Sequence, residues 1–235
     1  MGGRYDLTNF EWHVIAPLLP RKGRAMLAPS LPSRERVLTD EELRAVWGAA
    51  DREPPKLRAF VRLLVLTAAR EAEVADICAG EVDLDAGRWT IPATRTKNRH
   101  PLTLPLGMLA IAELRAVWPP SAPAPDWRLL GRSGNRGFQG FSSLKERLDA
   151  AAGVAEWRWH DLRRTARTGM SRLGIPRDHA EAAINHVSGR SQLERTYDRH
   201  DYAPEVLAAS RAWQAHIAAL VAPGNAQIRP LRRRA

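Results

Sequence analysis

Six residues of this 235-residue sequence could together act on a phosphate: two arginines, one lysine, two histidines and one tyrosine. They are Arg70, Lys97, His160, Arg163, His186 and Tyr197. A guanidinium presents a planar fork of donors that stays charged, which suits the oxygens of a phosphate. A tyrosine hydroxyl has an ordinary pKa of about 10, so it becomes a nucleophile only beside a base or a strong positive field. Such a set is suited to nucleophilic attack on a phosphate group.

The spacing places these residues on definite elements. Arg70 follows the last turn of an expected helix, and Glu73 comes one turn later. Lys97 lies in the turn between two expected strands. His160 and Arg163 are three residues apart near the start of a helix, so they share one face.

The series Arg, Lys, His-x-x-Arg, His, Tyr resembles the active site of the tyrosine recombinases, the phage integrase family. Two stretches are similar to its satellite-phage branch: His160-Asp161-Leu162-Arg163-Arg164-Thr165 and Asn185-His186-Val187-Ser188-Gly189. The resemblance extends over residues 37–221. It implies a site-specific recombinase domain that cuts and rejoins DNA through a 3′-phosphotyrosyl intermediate.

The resemblance also implies a role for each residue. Arg70 and Arg163 would hold the non-bridging phosphate oxygens, and His186 would add a hydrogen bond. His160 would act as the base for the nucleophile Tyr197. In the same scheme Lys97 would protonate the departing 5′ oxygen, and Glu73 would orient the arginines from behind. No metal, ATP or other cofactor is implied.

Other interpretations stay open at this point. Any single arginine could be a solvated surface charge, and either histidine could be a structural, hydrogen-bonded side chain. Tyr202 is the alternative nucleophile, although it lies further from His186 and near Pro204. The chain could also be a catalytically silent fragment that binds DNA or an intact integrase, or the product of a decayed hybrid gene.

The elements that must position these residues are mainly helical. Capping boxes at Thr8-Asn9-Phe10-Glu11 and Thr39-Asp40-Glu41-Glu42 open two helices, the second reaching about Ala50. Apolar spacing predicts further helices over residues 56–69, 71–77, 107–117, 142–152, 160–173, 177–186 and 203–221. Three short runs, 81–84, 87–92 and 101–105, predict strands. The expected fold is mainly α with a small antiparallel three-stranded sheet, as in the catalytic core of the DNA breaking-rejoining enzymes.

Composition bounds the partners. Lys and Arg number 36 against 26 acids, a formal charge of +10, which suits a polyanion such as double-stranded DNA. One cysteine excludes an internal disulfide and a cysteine-rich zinc cluster. No apolar run is long enough for a membrane span, and no signal peptide begins the chain, so a cytoplasmic setting is expected. The last long helix carries an apolar stripe that could dock in the same chain or link protomers into a homo-oligomer on DNA.

The chain is expected to have three parts: a leader and linker at 1–34, a catalytic domain at 35–222 and a basic tail at 223–235. The leader, Arg4 to Pro20, resembles the opening of DDE insertion-sequence transposases. Full integrases carry a core-binding domain before the catalytic one, and the leader is too short for it, so truncation is expected. Ala68-Ala69 stands where the family usually has a glycine before its first arginine.

Overall fold

The structure is a computed structural model, and it describes residues 36–186 and 202–222. This part of the chain forms a layered arrangement of helices with one small sheet at its side. In chain order the elements are α1 (Asp40–Ala49), α2 (Pro55–Thr67), α3 (Glu71–Ala75), β1 (Val82–Asp83), β2 (Arg88–Ile91), β3 (Leu102–Pro105), α4 (Met108–Val117), α5 (Phe141–Ala152), α6 (Trp159–Arg172), α7 (Arg177–Ala183) and α8 (Ala203–Val221). The expected fold class, mainly α with a three-stranded sheet, is confirmed.

The first described helix begins at the capping box that the sequence predicts. Thr39 Oγ1 accepts a hydrogen bond from the Glu42 backbone N–H at 3.2 Å, and Glu42 Oε2 accepts one from the Thr39 N–H at 2.9 Å. Both backbone donors would otherwise lack partners at a helix start. The capping box at Thr8 lies outside the described residues.

The sheet is antiparallel throughout, in the order β1-β2-β3. In β2, Trp89 and Ile91 face the interior while Arg88 and Thr90 face outward, because successive side chains of a strand alternate. The connection between β2 and β3 carries Lys97, and it bonds to Glu73 of α3 and to Asn185, which follows α7.

Helix α2 is the centre of the core and fixes the position of α6. The ring of Phe60 lies 4.7 Å from that of Phe138, 5.7 Å from that of Phe141 and 5.3 Å from that of Trp159, between ring centroids. Tilted and edge-on contacts of this kind stabilise aromatic clusters beyond the area they bury. The cluster holds the start of α6, with His160 and Arg163, beside the end of α2.

The last helix docks against its own chain. Its apolar stripe, Val206, Trp213, Ile217 and Leu220, is buried. Trp213 Nε1 donates to the Val65 carbonyl of α2 at 2.8 Å, and Gln214 Nε2 donates to the Pro105 carbonyl of β3 at 2.8 Å. Of the two uses predicted for the stripe, the structure therefore has the intramolecular one.

Three helices end clearly earlier than the sequence predicts: the one predicted to reach residue 77 ends at Ala75, and the other two end beside the candidate site. The helix predicted to reach residue 69 ends at Thr67, because Ala68 turns into the left-handed region with φ 53°. The helix predicted to reach residue 186 ends at Ala183, and Asn185 has φ 49°. These last two early ends turn main-chain carbonyls toward the candidate site.

Candidate active site

Arg163 is the most deeply buried of the predicted cations, with 5% of the residue exposed. Its Nη1 donates to the Ala68 carbonyl at 2.7 Å, and its Nη2 donates to the Ile184 carbonyl. Both carbonyls follow the C-terminal ends of helices, where the helix dipole favours a cation. Two of the five guanidinium N–H groups are thus used within the described part of the chain, and three remain for another acceptor.

The surroundings of Arg163 lower the pKa of its guanidinium but leave the group charged at neutral pH. Burial lowers the pKa of this guanidinium, the positive charge of Arg70 lowers it further, and Glu73 and Glu181 oppose the change, leaving a value of about 10. At neutral pH the group stays a cation. Because it is poorly solvated, it is a strong site for an incoming oxyanion.

Arg70 lies at the junction of α2 and α3, directly before the first residue of α3. Its Nη1 lies 2.7 Å from Glu73 Oε1, its backbone N–H donates to Glu73 Oε2 at 2.8 Å, and its Nη2 donates to the Asn185 carbonyl at 3.0 Å. Glu73 is only 3% exposed. The buried carboxylate therefore holds both the backbone and the guanidinium of Arg70.

His160 lies on the first turn of α6, exposed, one turn before Arg163. Partial desolvation lowers the pKa of its imidazole, and the positive charges of Arg164, Arg163 and Arg70 lower it further, against the opposing effect of Asp161. The neutral form, which can accept a proton, is therefore favoured. The charges of both Arg70 and Arg163 are thus felt by this imidazole.

His186 follows α7 and is held by an acid from that helix. Its Nδ1 lies 2.6 Å from Glu181 Oε2, and its backbone N–H donates to the Glu181 carbonyl at 2.9 Å. Arg167 Nε in turn donates to Glu181 Oε1 at 2.7 Å. Burial alone would raise the pKa of Glu181, but the hydrogen bonds from Arg167 and His186 outweigh burial and lower it. The acid therefore stays ionised beside the ring.

Lys97 is exposed on the β2–β3 connection, and within residues 36–186 and 202–222 it makes no hydrogen bond or ion pair. Its neighbour Asn98 is anchored instead. Asn98 Nδ2 lies 2.6 Å from Asn185 Oδ1 and 3.2 Å from the Asn185 carbonyl oxygen. The loop that carries Lys97 thus reaches the residue that also binds Arg70.

Tyr197, the predicted nucleophile, lies outside the described residues. The alternative, Tyr202, is described: it is half-buried directly before α8, and its ring centroid lies 6.1 Å from that of His179 in an edge-on contact.

The segment from Ile184 to His186 is the point where these groups meet. Ile184 gives its carbonyl to Arg163, Asn185 gives its carbonyl to Arg70 and its amide to the Lys97 loop, and His186 contributes its own ring. Five of the six predicted residues are described: Arg70 and Arg163 bond to this segment, His186 belongs to it, and Lys97 adjoins Asn98, which bonds to it. His160 is connected to the segment only through the two arginines, whose charges lower the pKa of its imidazole. Asn98, Asn185, Glu181 and Arg167 belong to this arrangement too, although the sequence alone did not single them out as site residues.

A sequence model of the phage integrase family matches residues 36–203. The chain belongs to the phage integrase family. Among curated proteins, prophage integrase IntA of Escherichia coli (strain K12) is 32% identical over 147 residues, which are 59% of this chain and 33% of IntA. The chain thus spans about a third of the length of that integrase.

Solved structures share the fold of this integrase-family chain. XerA recombinase matches with a TM-score of 0.52 at 17% identity, over 76% of this chain and 59% of XerA. XerH recombinase, solved as a pre-cleavage complex with its difH substrate, matches with a TM-score of 0.53 at 17% identity, over 69% of this chain and 52% of XerH. At such identities the likeness shows the fold.

The described residues of this chain were also compared with the requirements for a membrane-spanning helix and for a metal site. None of their helices is both long and apolar enough to cross a membrane. No three of their His, Cys, Asp and Glu side chains gather in a way that could hold a metal ion.

Proposed function

We propose that this chain is the catalytic domain of a site-specific tyrosine recombinase that cuts and rejoins double-stranded DNA. The observation that carries the proposal is the meeting of Arg70 and Arg163 at the Ile184–His186 segment. Arg70 bonds to the carbonyl of Asn185, 115 residues away in sequence, and Arg163 to that of Ile184. Two guanidinium forks held at the segment that also carries the His186 imidazole suit the binding of one phosphate.

The proposed reaction needs no metal in its proton transfers. The Tyr197 oxygen attacks phosphorus while His160, neutral at physiological pH, takes the phenol proton. The bond from phosphorus to the 5′ oxygen breaks, and the Lys97 ammonium gives that oxygen a proton. Arg70, Arg163 and His186 stabilise the negative charge on the non-bridging oxygens, which is greatest in the transition state. The product is a 3′-phosphotyrosyl bond, and reversal on another 5′ hydroxyl rejoins the strand.

Two observations, one on the described surface and one on the whole sequence, support DNA as the partner. Lys97, Arg99, Arg158 and His160 are all exposed on loops or helix starts around the site. Together with the net charge of +10, they favour contact with phosphates flanking the reacting one.

The finer assignments belong to the same proposal. We assign residues 35–222 to the catalytic domain, 1–34 to a transposase-like leader and linker, and 223–235 to a basic tail, within the satellite-phage branch. The start of the family match at residue 36 supports the first boundary. If copies assemble on DNA through α8, they must use its outward face, because its apolar stripe is buried in the same chain.

The test is covalent trapping. Nicked duplexes tiled across the DNA that flanks the gene are mixed with the full chain, and protein–DNA adducts are resolved by denaturing electrophoresis. One duplex should give an adduct that Tyr197→Phe abolishes, while the matched control Tyr202→Phe retains it. An adduct that persists in Tyr197→Phe, or is lost only in Tyr202→Phe, overturns the assignment of the nucleophile.

The second candidate function is DNA binding without catalysis, which the basic surface alone would support. Its signature is salt-dependent binding of the tiled duplexes with no adduct on any of them, even when Tyr197 is intact. That result would reject the enzymatic proposal and leave a binding or integrase-interacting fragment.

A further inference from the structure

Asn185 has an unusual backbone conformation and a buried polar side chain, and it lies next to the candidate site. It is a non-glycine residue with φ 49°, in a region that L-amino acids seldom occupy. It is 7% exposed although its side chain is an amide. It also lies between the end of α7 and the predicted site residue His186. A buried polar side chain in a strained backbone position indicates a specific requirement at this point.

The requirement is visible in its contacts, which bind two separate parts of the chain. The Asn185 carbonyl accepts from Arg70 Nη2 at 3.0 Å. The side-chain amide is paired with that of Asn98: Asn98 Nδ2 donates to Asn185 Oδ1 at 2.6 Å, and Asn185 Nδ2 donates to Asn98 Oδ1 at 3.2 Å. Asn185 Nδ2 also lies 3.3 Å from the His100 carbonyl. The Asn185 carbonyl thus accepts from both Arg70 and Asn98, and the Asn185 side chain bonds to the β2–β3 connection.

The other bonds of that connection leave its tip dependent on the amide pair. Arg95 Nη2 donates to the Glu73 carbonyl at 2.7 Å and fixes the base of the connection. Thr96 Oγ1 donates to the His100 carbonyl at 2.8 Å, a bond within the turn itself. Between Thr96 and His100, the described contacts that reach the Ile184–His186 segment come from Asn98 and from the His100 carbonyl. Lys97 lies within this stretch, directly beside Asn98.

We propose that Asn185 is a positioning residue that, through its amide pair with Asn98, holds the Lys97 ammonium beside the departing 5′ oxygen. This inference rests on the proposed function, in which Lys97 protonates that oxygen as its bond to phosphorus breaks. If the turn were not anchored, its backbone would sample many conformations, the lysine would seldom lie beside the departing oxygen, and proton transfer would be slow. The amide pair restricts the turn, while the lysine side chain stays free of competing partners among the described residues.

Asn185→Gly removes the side chain of Asn185 and keeps its backbone conformation, so it is the variant chosen for the test. In Asn185→Gly the left-handed backbone becomes favourable, and the carbonyl that accepts from Arg70 remains. What is lost is the amide pair and the bond from Asn185 Nδ2 to the His100 carbonyl, while Asn98 Nδ2 keeps the Asn185 carbonyl as an acceptor. The variant is therefore expected to fold and to bind DNA like the parent chain, so any change in rate reports on the Lys97 loop.

The measurement compares two substrates under single-turnover conditions. One is the duplex that gives the covalent adduct; the other has sulfur in place of the bridging 5′ oxygen of the same phosphate. A thiolate leaves without a proton, because a thiol has a pKa of only about 8.5. Asn185→Gly should slow adduct formation on the oxygen substrate by about 10- to 100-fold, yet match the parent chain on the sulfur substrate.

Lys97→Ala is the reference for the proton-transfer defect, and Asn98→Ala tests the second half of the pair. Asn98→Ala should show the same contrast between the two substrates, and the double variant should be slowed by less than the product of the two single effects, because both single variants remove the amide pair. An undiminished rate of Asn185→Gly on the oxygen substrate, or an equal loss on both substrates, overturns the positioning role. A parent chain without any adduct, or a Lys97→Ala defect that sulfur fails to relieve, instead overturns the proposed function.

Discussion

His186 Nδ1 lies 2.6 Å from Glu181 Oε2, so one carboxylate on α7 fixes the orientation of the imidazole that follows this helix. Glu181 is itself held by Arg167, whose Nε lies 2.7 Å from its other oxygen. A carboxylate that accepts from Nδ1 keeps the proton on that nitrogen and sets the direction in which Nε2 points. The arrangement resembles the acid–imidazole pairs that orient histidines in other active sites.

Replacing Glu181 by Gln should slow cleavage while leaving DNA binding intact. The amide of Gln is similar in size but cannot supply the negative charge that holds the ring and its proton. We expect a fall of about 10-fold in the single-turnover rate of adduct formation, within the range of a lost orienting partner. Binding measured by fluorescence anisotropy should stay unchanged. The control Glu146→Gln, on the exposed surface of α5, should alter neither. Equal rates for Glu181→Gln and the parent chain would contradict the orienting role.

The cleavage rate should fall on the acid side of its pH profile, and the midpoint of this acid limb should lie below pH 6.5, the ordinary pKa of a histidine. Desolvation and the charges of Arg164, Arg163 and Arg70 lower the pKa of His160, so this base stays neutral and competent as the pH falls through that value. Arg164→Gln removes the largest of the charge effects, and the limb should therefore move upward toward 6.5. Rates are measured at subsaturating DNA between pH 5 and 8, because the second-order rate constant reports the ionisation of the DNA-free protein, to which this pKa belongs. A limb that does not move in Arg164→Gln would remove His160 from the role of base.

The local elements of this fold could be predicted from sequence because their signals are short-range. The Thr39 capping box is formed by residues three apart, and the alternation in β2 follows from one strand. Helix ends were less predictable. At both Ala68 and Asn185 the helix stops at a non-glycine residue in the left-handed region, a conformation that sequence gives little reason to expect.

The site was predictable in its charged members and not in the groups that hold them. Arg70, Arg163 and the histidines stand out by type and order. Their partners do not, because the bonds that matter join residues 115 apart, as in Arg70 with Asn185, or 87 apart, as in Asn98 with Asn185. A main-chain carbonyl leaves no trace in the sequence. The Ala68-Ala69 pair, which stands where the family usually has a glycine, did mark this point in the sequence. Ala68 has a φ of 53°, a conformation that glycine adopts most easily, and this gives a physical reason for the usual glycine.

Gly169→Ala should loosen the docking of α8. A Cβ at this position of α6 would lie 2.3 Å from Cζ3 of Trp213, a contact that the rigid indole cannot relieve without moving. Such overpacking costs about 1–3 kcal/mol, and it would strain the bond from Trp213 to the Val65 carbonyl. Denaturant unfolding should show the loss, and the matched control Gly48→Ala, on a helix with no atom nearby and no positive φ, should show none. Equal losses in the two variants would show that the Trp213 contact is unimportant.

Arg163→Lys should abolish most cleavage while sparing most DNA binding. Lysine keeps the positive charge, but a single ammonium cannot reproduce the fork that joins the carbonyls of Ala68 and Ile184 and still presents donors to a phosphate. Losing one donor to the transition state typically costs about 10²- to 10³-fold in rate, and a buried carbonyl left without a partner costs about 1–3 kcal/mol of stability. Adduct formation, anisotropy and denaturant unfolding are measured on the same preparation. The exposed Arg172→Lys, at the other end of α6, serves as the control and should change none of them. A parallel loss of binding and cleavage in Arg163→Lys would make Arg163 a residue that only positions DNA, because its fork would then act in the ground state as much as in the transition state.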